Sequence, residues 1–387
     1  MALASPEAAV AATEPALARP AALGLIGALV SSLVAPGAAR ADDTLTVRGI
    51  YYKERATRVV QPMVDAGVDV GARGRVDGHA LLDAITSASA AAGSDDEAFT
   101  ERRYEVGAGY AHQLLGQRVG PLDTLRLGGR ARLSTEPDYQ SRFGSVRVDA
   151  ELAEKNLTLG AGAAYGQDNL SNAGAQGLAP AVSGELRTVL GSASASHLLG
   201  PNLVVGATYD VARLRGFQEN PYRSVVTLDG LVMERHPDVR TRHAVAASGR
   251  GFVPRAGTTW IASYRFYTDS WGVVAHTPEL RLVQAAGDTV EAGLRYRYHR
   301  QGAADFYQDR YPTSDPVMQP HLTDDEKLSA FTTHTVEAKL AALGEAFGLS
   351  GRWGGARLEG VLEYVLQYNR FGNAIVAQLA LTVPLEE

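Results

Sequence analysis

Two patterns of side chains in this 387-residue sequence could do chemistry. The first is charge at every second position. Arg126, Arg130 and Arg132 alternate with Leu125, Leu127, Ala131 and Leu133, and Arg147, Asp149 and Glu151 alternate with Val146, Val148, Ala150 and Leu152. Glu291, Arg295 and Arg297 oppose Val290, Ala292, Leu294 and Tyr296, while Glu359 and Glu363 oppose Leu358, Leu362 and Tyr364. With Arg265 and Glu337, these fixed charges could line an aqueous passage and sort solutes by their electrostatics. Arginines gather near residues 122 and 142, and Glu337, Glu359 and Glu363 gather near the C-terminus. That spacing predicts a basic wall facing an acidic one, with a transverse field between them; the alternative is that the charges pair and plug the lumen. The second pattern is a set of polar and aromatic residues in the links: Asp238, Arg240, Asp269, Trp271, His276, Asp305 and Tyr307. Asp269, His276 and His236 could pass a proton there, and the plainer alternative is a hydrogen-bonded rim. Asp324, Asp325 and Glu326 offer hard oxygens for a cation, but their spacing is not that of a calcium loop. There is no HExxH helix, GxSxG elbow or phosphate-cradling glycine loop, so no catalytic residue and no metal site is assigned.

Side chains that alternate in this way must sit on strands, whose successive residues point to opposite faces. Three charges on one face cannot be buried dry, so that face meets water while the other meets something apolar. Hydrophobic content of 45% and a mean hydropathy of −0.11 leave no repeated apolar runs for membrane helices, which need about 20 residues each. A chain without such helices crosses a bilayer only as a closed barrel. The predicted fold is therefore all-β, a transmembrane antiparallel β-barrel of about sixteen strands, within a range of fourteen to eighteen. Strands are expected to start near residues 44, 58, 74, 101, 122, 142, 156, 183, 202, 241, 258, 273, 288, 330, 356 and 372.

Short turns alternate with longer links, including Thr135 to Ser141. The long loops near residues 90–100, 166–181, 216–240 and 301–329 are expected outside the cell, and Val225 to Glu234 is expected as a hairpin beyond the membrane. A soluble β-sandwich would need shorter strands than Phe99 to Leu115. Ahead of the barrel, Ala21 to Val34 followed by Ala39-Arg40-Ala41 has the pattern of a cleaved leader. This divides the chain into a signal peptide at 1–41 and an outer-membrane barrel at 42–387. Zero cysteines exclude a disulfide framework and thiol chemistry, and a net charge of −6 without a polybasic block argues against nucleic acid as a partner. The expected partners are the lipid bilayer with its lipopolysaccharide and, during biogenesis, the barrel-assembly machinery; oligomeric state stays open.

Several stretches resemble a family of bacterial outer-membrane proteins catalogued as domain of unknown function 3570. They are Tyr51-Tyr52-Lys53-Glu54, Asp83 to Ser89, Glu234-Arg235-His236-Pro237-Asp238 with Arg240-Thr241-Arg242, Tyr264 to Gly272, His276-Thr277 and Gln301 to Tyr307. The resemblance implies an outer-membrane barrel and names no substrate. Asp83 to Ser89 (DAITSAS) also resembles the segment modified by periplasmic flavin transferases, with Ser89 as the residue that would carry FMN and Ser87 standing where that pattern has glycine. No other cofactor is expected. The function expected is a porin-like channel for small solutes, the alternative being a non-conducting barrel that serves as a flavin-carrying redox component or scaffold in envelope electron transfer.

Overall fold

The computed structural model describes residues 43–55, 57–87, 99–171, 182–221 and 223–385, with the side chains of residues 86, 87 and 99–101 left aside. The expected leader, Ser89 and the loop at 172–181 lie outside the described residues. Alternation of β-branched or aromatic residues with polar ones produces strands throughout. They are β1 (Thr44–Lys53), β2 (Thr57–Val70), β3 (Gly74–Ser87), β4 (Phe99–Gln113), β5 (Leu122–Thr135), β6 (Tyr139–Leu152), β7 (Leu157–Ser171), β8 (Ser183–Gly200) and β9 (Leu203–Gly216). After a short hairpin of β10 (Ser224–Thr227) and β11 (Gly230–Met233) come β12 (Val239–Val253), β13 (Thr258–Asp269), β14 (Val274–Ala286), β15 (Val290–Gln301), β16 (Phe331–Leu343), β17 (Arg357–Gln367) and β18 (Ala374–Pro384).

All except the hairpin join into one closed antiparallel barrel of sixteen strands in chain order, in which β18 pairs with β1. Closure leaves no open edge, which satisfies the backbone groups of every strand. The start of each strand falls within a few residues of its expected position. One link differs. The expected long link from Thr135 to Ser141 is a tight hairpin, because β5 and β6 continue pairing as far as Thr135↔Gln140 and leave only residues 136–138 between them. One end of the barrel carries the short turns 71–73, 201–202 and 287–289 and the 344–356 link, and the other carries the long links 217–238 and 302–330 together with the short ones 136–138 and 270–273. In the β6–β7 turn Ala153, Glu154 and Lys155 all take left-handed backbone angles, with φ of 53°, 60° and 64°.

The barrel is inside out relative to a soluble domain. Leu294, Val146, Leu340 and Leu379 stand on its outer face and are each more than half exposed, while the charged partners of the alternation turn inward. A band of apolar side chains around the whole outer circumference far exceeds the few hundred Å² that soluble monomers expose. Four outward tyrosines each share a hydrogen bond with an outward histidine: Tyr110 with His112, Tyr209 with His243, Tyr264 with His276 and Tyr296 with His334, at 2.6–2.9 Å. The last three lie toward the long-loop end and belong to an aromatic girdle of the kind that marks a membrane boundary.

Candidate functional site

The inner wall carries the ionised residues, and strand register decides which of them meet. Arg295 on β15 lies opposite Glu337 on β16, which lies opposite Glu363 on β17. Two carboxylates directly across from each other would repel, so the guanidinium of Arg295 lies between them and bonds both, and also reaches Glu279 on β14 at 3.5 Å. Glu359 bonds Lys339 at 2.6 Å, and Arg357 holds Glu291 at 3.4 Å. On the opposite side Arg130 pairs with Asp77, Arg132 with Glu105 at 3.5 Å and Arg147 with Asp149 at 2.7 Å. Glu151 accepts from the Thr124 hydroxyl at 2.7 Å. The expected basic and acidic walls are therefore not what the barrel presents. Most members of each cluster are paired with counter-charges; Arg147 and Asp149 do so within β6, while the other pairs cross between strands, which a linear sequence cannot register. Arg126, Arg265 and Arg297 make no ion pair among the described residues, and Arg265 lies 5.8 Å from the ring centre of Tyr267. Arg265 and Arg297 share one region of wall, because Arg265 is opposite Thr277 and Arg297 is opposite the neighbouring inward residue Glu279.

The charged side chains lie along the wall more than across the lumen. Gly160 faces inward on β7, and a Cβ there would collide with the guanidinium of Arg147 and come within 2.5 Å of the Ser194 hydroxyl. Gly67 lies beneath Arg75 in the same way, and Gly109 beneath Asp77. Small residues also meet on the inward faces of β7 to β9, Gly162 opposite Ser192, Gly160 opposite Ser194, and Gly206 opposite Ser196.

At the long-loop end the links fold into a lid with two small apolar cores. Trp271, Val273, Ala304 and Leu328 form one, packed against Tyr267, Phe306 and Tyr307. Tyr267 faces inward on β13, so this core sits against the inner wall at the mouth. Val225, Tyr311 and Leu322 form the other, with Tyr311 only 1% exposed and its hydroxyl donating to the Thr323 carbonyl at 3.0 Å. Asp269 is the hub beneath the lid. Its carboxylate accepts from Arg240 Nε at 2.8 Å, Tyr267 Oη at 2.6 Å, and the backbone amides of Trp271 and Val273. The Arg240 guanidinium also lies 4.2 Å from the Trp271 ring centre. Gly272 has φ of +84°, and the Asp305 carboxylate occupies the space where its side chain would be. Tyr307 donates to Asp309 at 3.0 Å, and the Asp238 carbonyl accepts the amide of Gly216 at 2.8 Å.

The three proton-transfer candidates are not brought together. Asp269 points inward and is saturated by donors. His276 is on the outer face in the aromatic girdle, which corrects its expected place at the rim; the parity of Leu280 and Leu282 on the same strand already implied it. His236 is buried, its Nδ1 bonded to the Gln218 carbonyl at 2.9 Å and its Nε2 3.4 Å from Glu234. Burial opposes a charge on this ring, yet the hydrogen bond and charge of Glu234 lift its pKa above the ordinary histidine value. Asp325 is occupied by Arg223 at 2.5 Å, and Glu326 lies 3.4 Å from Arg370. Among the described residues no group of three or more acidic or histidine side chains is arranged for a metal ion.

A family model described as "Protein of unknown function (DUF3570)" matches residues 16–363. The chain belongs to this family. No curated protein matches it. Among solved structures, a bacterial polysaccharide outer membrane secretin is similar with a TM-score of 0.50 at 7% identity, covering 89% of this chain and 98% of that one. The outer membrane protein OprD from Pseudomonas aeruginosa is similar with a TM-score of 0.43 at 11% identity, covering 89% and 94%. OccK2 (OpdF) of Pseudomonas aeruginosa, solved in complex with glucuronate, has a TM-score of 0.37 at 11% identity, covering 89% and 97%. At these identities the likeness is one of fold: this DUF3570 member is a sixteen-strand barrel resembling outer-membrane porins.

Proposed function

We propose that this protein is a water-filled channel of the outer membrane that passes small polar solutes and favours anions. The long loops face the outside and the short turns the periplasm, as in barrels of this kind, and the leader ending at Ala41 directs export. The observation that carries the proposal is the inner wall, where charged side chains are paired and laid flat over Gly160, Gly67 and Gly109. Sixteen strands enclose more space than side chains can fill, and a flattened charged lining keeps that space wet. Arg265 and Arg297, which have no ion-pair partner among the described residues, supply a positive potential on one side of the passage. The lid at the mouth narrows entry.

The test is single-channel recording of the refolded protein in planar bilayers. Stepwise ohmic conductance with anion preference is expected. Correctly folded barrels that insert and carry no current would sink the proposal.

A further inference from the structure

Charge on the outer face is sorted by height. Among the described outward positions in regular register, Lys, Arg, Asp and Glu occur only toward the long-loop end, and Glu185 is the one carboxylate. The densest group lies on β6 to β9. Arg142 is opposite Gln167, Gln167 opposite Arg187 and Arg187 opposite Arg215, so these residues form one line across four adjacent strands. At the usual strand spacing this line is about 15 Å long. Arg213 stands two residues closer to the barrel middle, in line with Val189 and Tyr165.

All four arginines are exposed. Arg187 pairs with Glu185 at 2.5 Å, and the other three make no ion pair among the described residues. Immediately below them come Tyr165, Tyr209 and the Tyr209–His243 pair of the aromatic girdle, where the hydrocarbon ends and headgroups begin. Three guanidiniums without an ion pair, beside the Arg187–Glu185 pair, are stabilised by an external anion, and planar guanidinium forks suit phosphate. The anion must sit at headgroup depth, in the leaflet nearer the long loops.

We propose that the outer face of β6 to β9 is a binding site for the phosphorylated headgroup of an outer-leaflet glycolipid, lipopolysaccharide, with Arg142, Arg187, Arg213 and Arg215 gripping its phosphates. This rests on the membrane placement proposed above. Gln167, within the line, donates one amide N–H to Glu185 at 3.1 Å and has its second N–H left for the sugar or phosphate oxygens. The apolar band below, with Val189 and Val146, takes the acyl chains.

The experiment is native mass spectrometry of the detergent-solubilised barrel, titrated separately with bisphosphorylated lipid A, the same lipid A with its phosphates removed, and phosphatidylglycerol. The proteins are the unaltered chain, the quadruple variant Arg142→Gln, Arg187→Gln, Arg213→Gln, Arg215→Gln, and Arg255→Gln in a short turn as control. The unaltered and control proteins should bind bisphosphorylated lipid A best, and the quadruple variant should lose about tenfold or more in apparent affinity. Undiminished binding by the quadruple variant, equally tight binding of the dephosphorylated lipid, or phosphatidylglycerol binding as tightly as the glycolipid would each overturn the assignment. Insertion into vesicles and heat-dependent gel mobility are measured alongside. A chain that never inserts refutes the membrane placement, whereas one that inserts and conducts without phosphate preference refutes only the glycolipid site.

Discussion

Replacing Arg265 and Arg297 together by glutamine should turn the proposed channel toward cations. Both side chains face the lumen, on β13 and β15 with β14 between them, and neither makes an ion pair among the described residues. An ion in the passage about 8 Å from one guanidinium feels roughly 0.5 kcal/mol through water. Screening at about 0.1 M salt cuts this by somewhat more than half. Two charges then supply about 0.5 kcal/mol, which raises the local anion concentration about twofold and lowers that of cations equally. Removing both should shift the anion-to-cation permeability ratio about fivefold, read as a change of reversal potential toward cation selectivity under a KCl gradient. At about 1 M salt, where the screening length is near 3 Å, the difference should nearly vanish. Arg300→Gln on the outer face serves as the control. A ratio that stays put at low salt, or a shift that persists at high salt or is matched by the control, would refute the field as its cause.

Gly160→Val should lower conductance by forcing the Arg147 guanidinium off the wall toward the axis, and adding Arg147→Ala should restore it; additive losses in recordings of the two single variants and the double variant would show that the two positions do not interact. Leu294→Arg, placed against hydrocarbon, should destabilise the barrel by about 2–4 kcal/mol in urea titrations from lipid vesicles, while Arg126→Leu in the lumen should be mild, and equal effects would mean that the facing is wrong. Glu154→Gly with Lys155→Gly relieves two left-handed residues and should stabilise by about 1 kcal/mol each, checked by the same titration. The raised pKa of His236 makes its contribution to lid stability complete below the ordinary histidine pKa, to be lost as pH rises through the elevated value. Proteolysis of the lid should therefore speed up above neutral pH, and His236→Gln should flatten that dependence; an unchanged pH profile in the variant would remove His236 from the account.

Strands were legible because each residue on them answers to one of two solvents. Leu127 and Arg126 differ because one meets lipid and the other water, and that contrast repeats locally, needing no knowledge of neighbours. Which charges meet was not legible. Arg295 finds Glu363 across 68 residues, through the register of two intervening pairings, and nothing in the composition of either strand sets that register. The hairpin at 136–138 was hidden because Ser134, Thr135 and Tyr139 to Ser141 read as loop residues until pairing with each other. The lid was hidden for a related reason. Tyr311 and Leu322 are isolated apolar residues in polar stretches, and their core exists only because Val225 and Val232 arrive from a hairpin far earlier in the chain. The rim motif around Asp269 was visible as a cluster of types, but the carboxylate is fully occupied accepting from Arg240, Tyr267 and the amides of the Trp271 turn, a structural use that residue identity alone does not reveal.

The seam between β1 and β18 governs how such a molecule can come into being. Its ten residue pairs run from Thr44↔Pro384 to Lys53↔Ile375, and the Thr46 and Thr382 hydroxyls meet at 2.9 Å although 336 positions separate them. Most other pairings join strands consecutive in sequence and can zip up from a nearby hairpin, at little loop-closure penalty. The seam cannot begin until the last strand has emerged. Before that moment the sheet has two raw edges whose amides and carbonyls find no partner in hydrocarbon, and in water such edges invite pairing with other chains. Insertion and closure must therefore be one event, or some other surface must shield both edges until the ends meet. A chain lacking β18 would then not be a weaker barrel but no barrel at all, and the final eleven-residue strand acts as the timing signal for assembly of everything synthesised before it.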